Sequence, residues 1–406
     1  MSFRIALSGM NAASSDLNVT SHNIANANTT GFKESRAEFA DVFTVSPYGL
    51  AANAAGAGAR LQRVAQQFSQ GNIDFTGNSL DMAVSGQGFF TLSDGGATVY
   101  SRAGNFGTDA SGYVVNASGQ RLQAFAPNAD GVTFNTGKLT DVQVTTGDSA
   151  PKASTRVNVG VTLPGNATAP TNTPFDATDP TTYNSTTSLT VYDSLGAAHS
   201  QSLYFTKTAN DNEWTVQTQI DGADVGTPQT VVYSSAGALL TPAGGDLTLP
   251  AYTPPGGAGA INLTMDLGNS AQYGQKFTVS ELNQDGYGTG SLASVSVSGE
   301  GVVQASYSNG VTKAIGQVAL TSFANPQGLQ QKGDNAFAET YDSGQPIRGA
   351  AGTSDFGLVQ GGALEASNVD LTAQLVNMIT AQRNFQANAQ MIQTQDQVTQ
   401  TIINLR

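Results

Sequence analysis

Two histidines, His22 and His199, are the whole imidazole supply of this 406-residue chain, and it has no cysteine. Without thiols there is no disulfide, no cysteine nucleophile and no thiolate metal site. His22 falls inside a helical pattern, and His199 follows a turn signal at Ser194-Leu195-Gly196. Surface or helix-packing roles are expected for both, rather than a triad or a histidine metal site. Gly86-Gln87-Gly88 before Phe89-Phe90, and the run from Gly256 to Gly259, superficially suggest phosphate loops. Neither sits in the strand, glycine loop and helix order that such a loop needs, so turns between strands account for them. Asp130, Asp148, Asp211, Asp224 and Asp285 lie in loop text without the spacing of a calcium loop, and read as a soluble outer surface. Glycosidase carboxylate pairs are built in three dimensions, and no motif here favours one. No catalytic, cofactor or metal residues are expected, and the chain reads as a non-enzyme.

Composition narrows the partners. Seventeen basic against thirty acidic residues give a net charge of −13, with the basic ones scattered, so there is no footprint for nucleic acid. The length suits two or three domains. Only 12% of residues are charged, 46 are glycine, and stretches of Thr, Ser, Asn and Val alternate with turn residues, which reads as mainly β. Met1 to Ala27 contain Arg4, Asp16 and His22 and no cleavage-site pattern, so no secretory signal peptide is expected there. No run of eighteen apolar residues is present to form a spanning helix.

Helical periodicity stands out at the two ends. Phe3, Ala6, Met10, Ala13, Leu17, Thr20, Ile24 and Ala27 step by alternating threes and fours, the spacing of a coiled-coil stripe. Leu371, Leu375, Met378, Gln382, Phe385, Ala389 and Ile392 do the same, and Val398, Ile402 and Leu405 continue less regularly. Ser367 or Asn368 is expected to cap this second helix, with Asp370 near its positive end and Arg406 near its negative end. Its flanks carry glutamines rather than alternating Glu and Lys. Narrow-stripe helices gain little alone, because most helical stability comes from packing. Pairing within one chain and packing against neighbouring chains are both open on this pattern.

Between the helices the text is nested. Residues 76–147 and 284–364 form an expected inner β domain, interrupted at 148–283 by an outer β domain of different texture. The insertion opens on Pro164, Pro170, Pro174 and Pro180, has strand candidates at Leu189 to Tyr192, Gln201 to Thr206 and Trp214 to Ile220, and breaks at Pro254-Pro255-Gly256-Gly257. Residues 1–33 and 365–406 form the terminal helical domain. Residues 34–75, nearly all small from Gly49 to Gly58, read as a connector shaped by its neighbours.

After SHNI, the first helix runs into ANANTTGFK, residues 25–33. Asn23, Asn26 and Asn28 weaken the helix, Thr29 and Thr30 favour extension, and Gly31 permits the turn that lets Phe32 anchor. This stretch, DMAVSGQGFF at 81–90, YSRAGNF at 100–106 leading to GYVVNASGQRL, and the segment from Gly362 to Arg406 together resemble the bacterial flagellar rod and hook axial family. Four motifs in order make the resemblance specific. The inserted domain, the text LTVYDSLGAAHSQSLYF at 189–205 and the run from Asn283 resemble hook-type members more than the shorter distal-rod members. The family motif falls on Ala25, Asn26, Thr29, Gly31, Phe32 and Lys33.

The resemblance implies a mainly β, nested multi-domain chain whose N- and C-terminal helices pair as a coiled coil and polymerise into a helical tube. Contact residues are then expected at Phe3, Leu7, Met10, Leu17, Ile24, Leu371, Leu375, Met378, Phe385 and Ile392. It also implies other copies of the chain, a hook-cap protein, the distal rod, a hook-filament junction protein and the flagellar export apparatus as partners. Location outside the cell at the flagellar hook, after type III export, follows from the same likeness. A different axial protein, or a β-rich extracellular enzyme whose ends merely pair within the monomer, are the rival readings.

Overall fold

A computed structural model describes residues 2–42, 56–145, 147–353 and 355–404. The chain divides into two compact units, Met1–Thr145 with Ser294–Ser306 and Thr312–Arg406, and Thr146–Ala293 with Tyr307–Val311. Both helices, α1 (Ser2–Ala25) and α2 (Leu371–Asn404), lie in the first unit, and they pair. Among the described residues, everything else regular is strand apart from one 3-10 turn at Pro326–Gly328. The mainly β architecture with paired terminal helices is thus what the chain adopts. No described helix is long and apolar enough to cross a membrane.

In the first unit the longest strand, Thr312–Ser322, hydrogen-bonds in turn to Val302–Tyr307, Arg121–Pro127, Phe89–Asp94 and Ile347–Ala350. Its buried run from Val318 to Thr321 meets Phe90, Leu92, Leu122 and Ala124, so this part of the sheet is covered on both faces. Beside it Phe89, Tyr100, Phe323 and Phe337 form an aromatic cluster, with Tyr100 and Phe323 edge to face at 4.8 Å between ring centres. The terminal helices and this β body, expected as separate domains, share the unit because short strands knit them. Ala363–Glu365, just ahead of α2, pairs with Ile73–Phe75.

The expected connector is more structured than its composition suggests. Ser35–Val42 and Gly58–Gln66 form an antiparallel ribbon, with a bulge between Glu38 and Phe39. Cross-strand pairs such as Ala37 with Val64 and the Arg63–Glu38 ion pair at 2.7 Å supply order that the small-residue tip does not. Residues Gly49 to Ala55 of that tip lie outside the described residues.

In the second unit the strand Arg156–Pro164 points Val157, Val159, Val161 and Leu163 to one side. It pairs parallel with Thr264–Asp266 and Ala271–Tyr273, and antiparallel with Thr278–Gln284. A second sheet, Ser185–Tyr192, Ala198–Lys207, Glu213–Ile220, Gln229–Tyr233 and Leu239–Thr241, contains the three expected strands. Both sheets contribute to one core with Trp214, Leu203, Phe205 and Val231. Trp214 donates its Nε1–H to Gln272 Oε1 at 3.1 Å, so the largest buried ring leaves no orphan donor. The unit runs past the expected edge at 283, because Lys152 bridges to Tyr287 and Ser149 to Gly290.

Candidate assembly surface and the knot beneath it

The helix pair is antiparallel. Asn23 meets Gln374 near one end, and a Cβ on Gly9 would lie 2.6 Å from Asn388 Oδ1 further along. The residues buried between the helices are small or polar: Ala6, Ala13, Thr20 and Asn23 from α1, Gln374 and Ala381 from α2. Gln374, Ala381 and Asn388 follow one another at intervals of seven, the coiled-coil repeat. Small seam residues let the backbones approach, and Gly9 is where that approach is tightest.

The stripes divide between the seam and its flanks. Ala6, Ala13 and Thr20 of the N-terminal stripe face the partner helix, but its large members do not. Phe3 and Leu7 are 45% and 38% exposed, Leu371, Leu375 and Phe385 are 45%, 46% and 37% exposed, and Met10, Leu17, Ile24, Met378 and Ile392 are half-buried. Large side chains on both seams would have pushed the helices apart, so they flank the contact instead. The helices are also unequal. With Gly9 opposite Asn388 and Asn23 opposite Gln374, Ser2 falls opposite Gln395, and Asp396 to Asn404 project past the start of α1. Val398, Ile402 and Ile403 lie exposed on that overhang.

The cap of α2 differs from expectation. Asp370 Oδ1 accepts from Thr372 N at 2.8 Å and Ala373 N at 3.2 Å, the reach of a helix cap. Asn368 is engaged elsewhere, accepting from Glu34 N at 2.7 Å and donating to Gln67 O at 2.8 Å. Ser367 only takes Val369 N at 3.3 Å. Gln374 then links the helix to the ribbon, donating to Glu34 Oε1 at 2.8 Å, while Asn23 exchanges bonds with the Ser35 backbone at 2.7 and 2.9 Å. Arg406 and Leu405 lie outside the described residues.

Beneath the helices the four sequence motifs converge. α1 ends at Ala25, and Asn26 turns back to donate its side-chain amide to His22 O at 2.9 Å. Thr29 Oγ1 donates to Asn26 Oδ1 at 3.1 Å. Gly31 then adopts φ +69°, and its N–H donates to Glu365 O at 2.8 Å. A Cβ there would sit 2.4 Å from Ala103 N, so the position takes glycine for space as well as for conformation. Phe32 is buried beside the His22 ring, 5.4 Å between centres.

Lys33 reaches the centre of this convergence. Its Nζ lies 2.6 Å from Glu365 Oε1 and 2.8 Å from Ser69 O. Glu365 Oε1 also accepts from Gly71 N at 2.9 Å, and Oε2 faces Arg102 Nη1 at 3.4 Å. Arg102 donates to Gly86 O at 2.8 Å and stands 5.4 Å from the Phe89 ring centre. All three charged side chains are buried. Burial pulls the Lys33 ammonium below the ordinary lysine value, against the attraction of Glu365. The same desolvation lowers Arg102. Gly86 and Gly88, with φ of +117° and +121°, make the turn that presents the Gly86 carbonyl. Sequence alone gives Arg102 and Glu365 no role, although both lie inside the motifs that converge here. Their one linear signal is a charge set among apolar or small residues.

His199 departs from the expected surface role. It is buried on the strand Ala198–Lys207, with Nδ1 2.5 Å from Asp221 Oδ2 and Nε2 3.3 Å from Asp193 Oδ2. Burial opposes its charged form, yet the hydrogen bonds and charges of the two carboxylates outweigh it and raise the imidazole above its ordinary value. Asp285 is partly desolvated too, but bonds from Arg156 N, Thr155 N and Lys152 hold it well below the usual carboxylate range. No group of three or more His, Asp or Glu placed to hold a metal occurs among the described residues.

Four family models match the chain in order. They are the flagella basal body rod protein at residues 3–33, the flagellar hook protein FlgE/F/G D1 domain at 83–170, the flagellar basal body protein FlaE D2 domain at 162–287, and the flagellar basal body rod FlgEFG protein C-terminal at 360–405. The flagellar hook protein FlgE of Escherichia coli K12 is 40% identical over 415 aligned residues covering the whole of both chains. The chain belongs to the flagellar hook protein FlgE family. The FlgE of Treponema pallidum is 30% identical over 461 aligned residues, covering 98% of each chain. A crystal structure of the Helicobacter pylori flagellar hook protein FlgE2 superposes with a TM-score of 0.53 at 17% identity, over 72% of this chain and all of that one, and shares the fold. On this FlgE-family chain, the D2-domain match lies within the second unit, while the rod and C-terminal matches carry α1, α2 and the Lys33–Glu365 pair.

Proposed function

We propose that this chain is the structural subunit of the bacterial flagellar hook, a self-assembling protein and not an enzyme, which forms a curved, flexible tube carrying torque from rod to filament. The observation that carries this reading is the division of labour on the helix pair. Its internal seam is filled by Ala6, Ala13, Gln374 and Ala381, while Phe3, Leu7, Leu371, Leu375 and Phe385 stay exposed along its flanks and Val398, Ile402 and Ile403 along the overhang. A single chain has no described residues to cover them, whereas a neighbouring helix pair supplies such a surface. A head-to-tail contact that does not close a ring propagates into a helical polymer. Met10, Leu17, Ile24, Met378 and Ile392, half-buried beside the seam, complete the proposed contact.

The family likeness supports the remaining assignments. Export is unfolded, through the flagellar type III apparatus, to the hook outside the cell. Assembly proceeds beneath a hook-cap protein, on the distal rod, and ends at a hook-filament junction protein. The test is electron microscopy of the full chain in polymerising salt beside a Leu375→Gln, Phe385→Gln double variant. Both sites are partly exposed and outside the seam, so monomer stability is expected to stay within about 0.5 kcal/mol per site. The parent chain is expected to form curved tubes and the variant none. Undiminished assembly by a folded variant would remove the contact; straight, rigid tubes from the parent would instead mark a rod-type axial protein.

A further inference from the structure

The residue Tyr341 has no explanation in the helix surface. Its side chain is 100% exposed and hydrogen-bonds to nothing among the described residues. The loop beneath it is nevertheless firmly held. Thr340 Oγ1 donates to Gly328 O at 2.6 Å, Thr340 N to Ser343 Oγ at 3.0 Å, and Asn325 Nδ2 to Asp342 O at 2.9 Å. Ser343 is fully buried, and a Cβ on Gly328 would lie 2.5 Å from the Asp342 carbonyl carbon. An aromatic side chain on an ordered loop loses little entropy when it is covered, the arrangement found at the anchor positions of interfaces.

A matching hollow lies at the far end of the same sheet. An open recess of about 570 Å³ is lined by Val132, Phe134, Glu300, Gln304 and Leu358 among others. Val132 and Leu358 are among the large apolar residues left exposed. Tyr341 follows the strand Ala336–Ala338 near one end of the hydrogen-bonded order, and the recess sits on Val302–Tyr307 near the other end, with three strands between along the shortest hydrogen-bonded path. At the usual ~4.8 Å per strand that is roughly 19 Å across the sheet, so knob and hollow are separate features of one unit. Charge follows the same polarity. Glu339 and Asp342 lie beside Tyr341 in the chain, while exposed Lys138 and Lys313, which have no ion pair among the described residues, lie on the strands that bring Phe134 and Ala314 to the recess.

We propose that Tyr341 of one subunit seats in the Val132–Phe134–Leu358 recess of the next, a second head-to-tail contact made by the β body outside the helix pair. This rests on the self-assembly reading and names where, beyond the helices, adjacent copies grip. The ring covers the exposed valine and leucine, Glu300 or Gln304 accepts from the phenol, and Asp342 approaches the lysines. The occupant is a second copy because knob, hollow and complementary charges are all carried by one chain at opposite ends of one sheet. That is the layout a non-closing repeat requires.

The absence of cysteine makes the test clean. Tubes are grown from an equal mixture of Tyr341→Cys and Leu358→Cys chains, oxidised, and run on a non-reducing gel beside tubes of each variant alone. The expected result is a covalent dimer in the mixture and none in either single variant, with the double variant giving a ladder. Tyr341→Ala is expected to raise the monomer concentration needed for assembly at least tenfold without changing the unfolding midpoint. Tubes that form normally from the mixture without cross-links, or Tyr341→Ala tubes at the parent's threshold, overturn this contact and leave helix-driven assembly standing. A parent chain that never assembles removes both.

Discussion

Glu365→Gln is the most informative single change to the folded chain. The substitution keeps size and one carbonyl acceptor but removes the only negative charge between Lys33 Nζ, 2.6 Å away, and Arg102 Nη1, 3.4 Å away. Two buried cations are then left facing each other with their desolvation uncompensated. Breaking a buried pair by removing one partner costs about 3–5 kcal/mol. The Gly71 N–H bond at 2.9 Å weakens as well, since its acceptor is no longer charged. Urea unfolding of the monomer reads the effect, with a control built into the chain. Both helices lie in the first unit, so helical ellipticity follows that unit; Trp214, the sole tryptophan, is buried in the second. With a urea slope of about 2 kcal/mol per molar, the ellipticity midpoint is expected to fall by roughly 2 M. The tryptophan midpoint stays. Adding Lys33→Met is expected to recover part of the loss, because the two sites share one interaction. A midpoint drop below about 0.5 M, or strict additivity of the two changes, would refute the view that this knot holds the first unit together.

Two further predictions concern the backbone and pH. Gly31→Ala places a Cβ 2.4 Å from Ala103 N at a residue with φ +69°. Left-handed strain plus overpacking is expected to cost about 2–4 kcal/mol, read as a lower ellipticity midpoint for the helices. In the second unit His199 has a raised folded value, so its contribution to stability is fully present below the unfolded histidine value of about 6.5 and is lost as pH rises through the folded value. Asp193 and Asp221 are lowered: burial opposes this at Asp193, where bonds from Ala197 N and His199 outweigh it, and the His199 bond leads at Asp221. Their contribution is present above the ordinary aspartate value of about 3.9 and falls away in more acid solution. The urea midpoint read by Trp214 is therefore expected to be highest between about pH 4 and 6.5 and to decline above, with the alkaline decline absent in His199→Gln.

The helices, the strands at 189–192, 201–206 and 214–220, and the turn at Gly31 were legible because each rests on local chemistry: periodicity, β-branched runs, a glycine after weakened helix. What was not legible depends on contact at long range. Spacing alone leaves open whether large residues such as Phe3 and Leu375 face the seam or its flanks, because which side of a stripe turns inward is decided by how closely the backbones approach. That is set by Gly9, Ala13 and Ala381 together. Asp370 was placed one role too weakly, since Asn368 two residues earlier looked equally able to cap; its commitment to Glu34 and Gln67 is a tertiary fact. His199 was read as a surface residue because Asp221, its nearest carboxylate, stands 22 positions away on a neighbouring turn. The Lys33–Glu365 pair was hidden for the same reason at fifteen times the range.

That range has a kinetic consequence. Lys33 and Glu365 are 332 positions apart, and closing a loop of that length costs roughly 5 kcal/mol of chain entropy before any contact repays it. For a chain delivered end first, whichever end leads, the knot waits for nearly the last residues to arrive. The β sandwich of the second unit, whose strands all fall between 156 and 284, is free to fold long before that. Contact order therefore sets a sequence of events: the middle of the polypeptide becomes rigid first, and the first unit, which carries both terminal helices, is completed last.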